Sequence, residues 1–351
     1  MSPLPAASRR EWLGRLGLTL GAIVLALGAM EIGLRLTHTG WIAVWPNFVL
    51  EARSVLAERE HGRIVDDPLL GYAPRPGFRA PGVTIDGNGL RHAGAVRTGD
   101  TILAVGDSYT YGDEVNDDET WPAHLQRLTG APVLNAGVSG YGFDQSVLRA
   151  EQLAAGRTLS TIVVSFIADD LRRTEMSRLW GAEKPYFDIA DNRLVLRNMP
   201  VPPRPDPRTT LSFWQRTLGY SFLVDFVLRR LHLMHDWFGD HVRVHAEGDG
   251  ERLSCLLTSR LAKLQRLSGA RVLLMAQYDP VAWQAPKFAD EQHRMAEGVL
   301  RCGRQAGLAV LDTFEALSRS EPKSLYGRWH MNDAGNRLIA GLVAGALPTG
   351  H

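Results

Sequence analysis

Thr101-Ile102-Leu103-Ala104-Val105-Gly106-Asp107-Ser108-Tyr109-Thr110-Tyr111-Gly112 is the stretch on which the reading of this chain turns. A short apolar run leads straight into a Gly-Asp-Ser turn, so one hydroxyl is presented at the carboxyl end of a strand. Open α/β sheets place their active sites at that end. Glycine on both sides of the turn lets the backbone bend sharply and lets a substrate come close. A plain strand-to-helix junction capped by Asp or Ser has the same local sequence, so the rest of the chain decides between the two.

Outward from this stretch, short apolar runs alternate with helical patterns, which is the signature of a parallel sheet. Strands are expected near 101–105, 132–135, 161–166, 271–276 and 308–312, with helices over about 119–129, 144–155, 251–268, 288–306 and 334–346. Five strands joined by right-handed crossovers give a three-layer α/β/α sandwich of the flavodoxin-like kind. Two further segments carry chemistry. Asn135-Ala136-Gly137-Val138-Ser139-Gly140-Tyr141-Gly142 follows the second strand, and His330-Met331-Asn332-Asp333-Ala334-Gly335 precedes the last helix.

In this order and spacing the segments resemble the SGNH/GDSL hydrolases. The resemblance implies that Ser108 is the nucleophile and His330 the general base. Backbone N–H groups of Ser108 and Gly140 would line the oxyanion hole, with Asp107, Asn135 and Asp170 in support. No cofactor is implied, and Asp107, Asp169, Asp170 and His330 have no metal-ligand spacing.

Two departures fall on catalytic helpers. The family's third block usually carries Asn-Asp, and that Asn donates to the oxyanion. Here Ile167-Ala168-Asp169-Asp170 follows the third strand, so Asp169 occupies the donor position. An ionised carboxylate only accepts hydrogen bonds and opposes a developing oxyanion. Alternation at a strand end would turn Asp169, and not Asp170, towards Ser108, with Arg172 or Arg173 close enough to neutralise it. The last block usually has an acid two or three residues before the histidine. Gly327 and Arg328 stand there, so the Gly327 carbonyl is expected to orient the imidazole instead.

The chain has 351 residues and a net charge of +1, which argues against nucleic acid as a partner. Arg9, Arg10 and Arg15 precede an uncharged run from Leu16 to Met30, with apolar character resuming past Glu31 to Leu36. That pattern predicts a cytoplasmic segment 1–15, a signal anchor across the inner membrane over 16–36, and everything later on the periplasmic side. Ser8-Arg9-Arg10-Glu11-Trp12-Leu13 also resembles a twin-arginine export signal. Cys255 and Cys302 fit no zinc spacing; in an exported protein they could pair.

Residues 37–100, with a helix from Phe48, Asp67-Pro68-Leu69-Leu70-Gly71-Tyr72 and an Asn88-Gly89 turn, are expected to pack on the core domain, 101–348. An insertion over 172–250 should begin with a hairpin turning at Asp191-Asn192. Its aromatic stretch 211–238 suits helices packed on the core, a lid over the serine, or a face on the bilayer. The function implied is a serine esterase acting outside the membrane. The substrates considered are O-acetyl groups of envelope or exopolysaccharide sugars, cleaved or transferred, and a lipid ester if 211–238 is a lid. The competing reading is a catalytically degenerate protein that binds glycan or acts as a scaffold.

Overall fold

The computed structural model describes residues 9–38, 47–95, 97–191 and 193–348. Residues 1–8 of the expected cytoplasmic segment, residues 39–46 of the expected N-terminal segment and Asn192 of the expected hairpin turn lie outside them.

The central sheet has five parallel strands, β1 (Ile102–Val105), β2 (Val133–Asn135), β3 (Thr161–Phe166), β4 (Arg271–Ala276) and β5 (Ala309–Asp312), in the order β5-β4-β3-β1-β2. Strand β1 lies between its neighbours with Ile102 opposite both Val133 and Thr161. Every residue of β1 and β3 is buried, as a sheet covered on both faces demands. The chain leaves β1 for β2 on one side and then crosses to β3 on the other. The crevice at their carboxyl ends is therefore the switch point of the sheet.

Helices α1 (Arg9–His38) and α2 (Phe48–Arg63) precede the sheet. Helices α3 (Ser108–Tyr111) and α4 (Trp121–Thr129) follow β1, α5 (Phe143–Ala154) follows β2 and α6 (Ala168–Arg173) follows β3. The insertion carries α7 (Phe213–Leu218), α8 (Phe222–Arg230) and α9 (Met234–Phe238). Then α10 (Asp249–Ser268) leads into β4 and α11 (Pro286–Gln305) into β5, followed by α12 (Phe314–Arg319) and α13 (Asp333–Ala346). Helix α4 packs with α13, and α10 packs with both α5 and α11, which makes the two outer layers of a three-layer sandwich. Local chemistry sets the boundaries. The Thr120 hydroxyl accepts the Ala123 N–H to start α4, and Gly130 ends it in the left-handed region at φ +75°.

The chain forms two compact units. The larger holds Glu58–Arg204 and everything from Asp240; the smaller holds the chain up to Ala57 together with Pro205–Gly239. The boundary between the units falls after Ala57, within residues 37–100, and the helical part of the insertion belongs to the smaller unit. Within the larger unit, Asp67 Oδ1 accepts the N–H groups of Leu69 and Leu70 (2.8 and 2.9 Å), and the Tyr72 hydroxyl donates to the Ser139 carbonyl (2.9 Å). Residues Tyr186–Ala190 and Arg193–Arg197 form the antiparallel hairpin expected at the start of the insertion. In the smaller unit, Trp12–Thr37 of α1 is long and apolar enough to cross a membrane, with mean hydropathy 1.9.

Cys255 in α10 and Cys302 in α11 form a disulfide with a Cα–Cα distance of 5.4 Å and a sequence separation of 47. Closing a loop of that length restricts the unfolded chain, so replacing both cysteines by serine should cost about 2–4 kcal/mol. The expected outcome is a lower urea midpoint for the larger unit's transition in the double variant. An unchanged midpoint would mean that helix packing alone holds α10 to α11.

Candidate active site

Val105, Gly106 and Asp107 carry the chain out of β1 and into the first turn of α3, where Ser108 is buried at the mouth of the crevice. Asp107 caps this helix: its Oδ1 accepts the Tyr109 N–H (2.9 Å) and its Oδ2 accepts the Ser108 hydroxyl (3.2 Å). A side chain at Gly106 would overlap Thr110 Oγ1 and come within 2.9 Å of the Ser165 carbonyl, so the turn closes only with glycine there. The loop after β2 is fitted as tightly. Asn135 Oδ1 accepts the Gly137 N–H (3.1 Å), and a Cβ at Gly137 would overlap the Tyr111 backbone nitrogen. Gly140 sits in the left-handed region at φ +80°. Among the described residues, the N–H groups of Ser108 and Gly140 meet no backbone acceptor, leaving both donors available.

His330 stands in a tight turn. The Gly327 N–H donates to the His330 carbonyl (2.8 Å), and Tyr326 and Met331 form an antiparallel bridge. The Tyr109 hydroxyl donates to the Trp329 carbonyl (2.9 Å), and the Tyr109 and His330 rings lie 5.3 Å apart, so this turn is fastened to the serine helix. Among the described residues the Ser108 hydroxyl is bonded to Asp107 and not to His330. Such bonds are often unmade in a free enzyme and tighten with substrate.

Beside the imidazole, where the Gly327 carbonyl was expected, stands a side chain from the loop after α3. His330 Nδ1 faces a carboxylate, Glu114 Oε1, at 3.2 Å. Glu114 also accepts the backbone N–H groups of Arg328 (2.8 Å) and Trp329 (3.1 Å). Burial would raise its pKa, but the Trp329 N–H, the His330 side chain and the Arg328 N–H outweigh that and hold the carboxyl below its usual value. Glu114 has φ +71°, a conformation that non-glycine residues rarely adopt. Gly327 instead makes room for this acid, since a Cβ there would lie 2.7 Å from Glu114 Oε2. The position where the family usually carries its acid is empty of side chain, and the carboxylate of Glu114 fills the space beside it.

The charge around the third block also differs in detail from the sequence expectation. Strand β3 ends at Phe166 and α6 begins at Ala168, so Asp169 and Asp170 lie in a helical first turn and not at an alternating strand end. Asp170 is buried and its Oδ2 accepts the Ile167 N–H (3.1 Å), whereas the Asp169 side chain is 42% exposed. Arg173 is the neutralising cation. It reaches Asp170 at 2.7 Å, Asp169 at 2.8 Å and Asp107 at 3.7 Å, while Arg172 turns away to Glu291 (2.7 Å). Burial pushes Asp107 above the usual carboxylate range although Arg173 opposes the shift, and burial together with the Asp107 charge pushes Asp170 well above it. Burial would lower the Arg173 guanidinium; the carboxylates of Asp169, Asp170 and Asp107 outweigh it and raise it. Each of these three carboxylates is therefore paired with Arg173.

Solved structures resemble this chain at low identity. A member of the lipolytic G-D-S-L family from Veillonella parvula is 13% identical, with 70% of this chain and 97% of that chain covered and a TM-score of 0.38. An acetyl xylan esterase from Geobacillus stearothermophilus is 14% identical over 72% and 95% of the two chains, with a TM-score of 0.39. A lipase/acylhydrolase from Enterococcus faecalis is 14% identical over 72% and 100%, with a TM-score of 0.40. No curated protein matches the chain. Residues 104–338, most of the chain, match the GDSL-like Lipase/Acylhydrolase family from the residue before Val105 to the middle of α13. This chain belongs to the GDSL-like lipase/acylhydrolase family.

Proposed function

We propose that the protein is a serine esterase in which Ser108 is the nucleophile, His330 the general base and Glu114 the carboxylate that orients the imidazole. The observation that carries this reading is the Glu114–His330 contact of 3.2 Å, because it supplies the acid that the sequence around His330 lacks. Ser108 Oγ attacks the ester carbonyl as its proton passes to His330. The N–H groups of Ser108 and Gly140 receive the oxyanion. The carbonyl–oxygen bond then breaks, and His330 returns the proton to the departing alcohol. Water, or a sugar hydroxyl in a transfer reaction, releases the acyl group from Ser108. Asp169, at the position of the usual amide donor, is held by Arg173, so a cation offsets the charge that would oppose the oxyanion.

The address supports an envelope substrate. The apolar helix α1 is read as a single inner-membrane span with the larger unit on the periplasmic side, and the Cys255–Cys302 disulfide suits an oxidising compartment. O-acetyl groups on envelope or exopolysaccharide sugars are the proposed esters. A second reading, a scaffold or glycan-binding protein without turnover, is favoured only by the carboxylate at position 169.

A fluorophosphonate probe separates the two readings: Ser108 should be labelled in the native protein, and failure to react would establish the second. Ser108→Ala and His330→Ala should each lower kcat on a short-chain aryl ester at least about a thousandfold, and the double variant should be little worse, because the pair acts as a unit. Full activity in Ser108→Ala would remove the nucleophile assignment.

Glu114→Gln should lower kcat by roughly tenfold to a thousandfold with little change in KM, and Gly327→Ala should lower it less by displacing the carboxylate. The pH dependence carries a sign. A carboxyl whose folded pKa is lowered contributes stability above its unfolded pKa and loses it as pH falls through the folded value. The Tm gap between native protein and Glu114→Gln should therefore be widest at neutral pH and close below the ordinary carboxylate value of 4.5. A gap that persists in acid would mean that Glu114 acts by packing and not by charge.

Asp169→Asn restores a neutral donor and should leave esterase activity equal or raised, by up to about tenfold for a barrier change of roughly 1.4 kcal/mol. Loss of activity in a folded variant would show that the carboxylate itself takes part in the chemistry.

A further inference from the structure

Helix α7 is turned inside out for a helix in water. Its buried residue is the amide Gln215, 8% exposed, whose Nε2 donates to the Trp237 carbonyl (2.6 Å) and whose Oε1 accepts the Ser212 N–H (2.8 Å). Its carbonyl takes Asn47 Nδ2 at 2.8 Å. The apolar side faces out: Phe213 and Trp214 are 69% and 62% exposed, and Leu218 and Tyr220 stand exposed beside them. Helix α8 shows part of this pattern: Asp225 is buried and paired with Arg229 (2.7 Å), Val227 and, just past the helix end, Leu231 are exposed, and its other apolar residues are half-buried. Each large apolar side chain left in water forgoes about 1.5–3 kcal/mol of burial, so this run of exposed apolar side chains implies a non-aqueous neighbour.

What these helices are tied to identifies that neighbour. Glu31, towards the C-terminal end of α1, accepts the Ser221 hydroxyl (2.9 Å) and the N–H groups of Phe222 and Leu223 (both 2.8 Å), so the membrane helix itself caps α8. Arg35 holds Glu31 (2.6 Å) and donates to the Tyr220 carbonyl (2.5 Å), fixing the α7–α8 junction as well. The rise from Trp12 to Glu31 is about 28 Å at 1.5 Å per residue, close to the roughly 30 Å thickness of a bilayer's hydrocarbon core. A span that begins at Trp12 puts Glu31 at the opposite boundary, and the α7–α8 junction comes to the same depth.

We propose that α7 and α8 form an interfacial platform lying in the headgroup region of the phospholipid bilayer that α1 crosses. The inference rests on the reading of α1 as a membrane span given above. Tryptophan and tyrosine sit at that depth with the ring in the apolar boundary and the polar edge in water. The exposed Arg216 and Arg230 can reach lipid phosphates from either helix. A span alone would leave the smaller unit free to tilt relative to the membrane normal. The platform adds a second attachment and fixes its orientation.

The test uses the full chain in nanodiscs of phosphatidylethanolamine and phosphatidylglycerol. Both native cysteines are in the disulfide, so an introduced cysteine is the single site for a nitroxide label. Labels at Trp214→Cys and Leu218→Cys are compared with Ile23→Cys in α1 and with Leu267→Cys in α10, where the native leucine is 75% exposed. Collisions with oxygen report lipid, and collisions with a nickel chelate report water. Trp214 and Leu218 labels should share the high oxygen-to-nickel ratio of Ile23, inverted relative to Leu267. Nickel access at Trp214 and Leu218 equal to that at Leu267, with Ile23 still in lipid, would overturn the platform and leave the span intact. Aqueous behaviour at Ile23 as well would overturn both. Labels at Trp214 and Leu218 shielded from oxygen and nickel alike would show burial against protein, by a second copy or as a lid, and would equally overturn the proposal.

Discussion

The buried guanidinium of Arg91 is the interaction on which the candidate site depends. It donates to the carbonyls of Tyr111 (2.8 Å), Gly112 (2.6 Å), Gly82 (3.0 Å) and Val115 (2.7 Å) and to Asp117 (2.9 Å). The backbone N–H of Arg91 donates to the carbonyl of Asn135 at the end of β2 (2.9 Å). A buried guanidinium is tolerated only when its donors are satisfied, and here four of these five bonds go to one loop. The carbonyls at the end of α3, which the helix itself cannot satisfy, are taken up by this side chain. The ring of Tyr111 adds a face for the cation at 4.8 Å. The loop from Tyr111 to Asp117 is thereby given a single path, and Glu114 rides on it.

Charge is handled in two ways around Ser108. Glu114 is solvated on one side and bonded to main-chain N–H groups on the other, so it stays ionised. Asp107 and Asp170 are enclosed with a single arginine between them, and burial works against their ionisation. The same element, α6, therefore brings both the negative charge and its neutralisation to the crevice. A similar economy holds behind the second loop, where Lys184 meets Asp144 at 2.5 Å with both groups out of water. Removing either partner of such a pair leaves an uncompensated charge, which costs more than the pair itself contributes.

The sheet was legible in the sequence because each of its strands is short and flanked by turn residues, and the innermost are mainly apolar. The predicted strand at 161–166 and the observed Thr161–Phe166 agree to the residue. Ser108 and His330 could be singled out as candidates for a different reason: the motifs that carry them are local. Glu114 was not. The loop holds Asp113, Glu114, Asp117, Asp118 and Glu119, and nothing local distinguishes one acid from another. The choice is made by a left-handed residue and by N–H groups 214 and 215 residues further along the chain. The preference for Arg173 over Arg172 was hidden because the segment reads as a strand end, whereas one helical turn puts Arg173 directly over Asp169. The inverted pattern of α7 was visible only as an excess of aromatic residues, since which face is inside depends on partners such as Asn47 and Trp237.

The absence of a side chain at Gly327 has a consequence for how the site responds to movement. In a site whose acid precedes the histidine by a few residues, acid and base shift together when their turn shifts, and their mutual geometry survives. Here the acid shares a rigid loop with the serine, and the histidine arrives alone on a turn whose amides grip that same acid. Displacing the turn breaks two main-chain bonds and the imidazole contact in one event. The orientation of the imidazole thus depends on the same carboxylate that holds its turn.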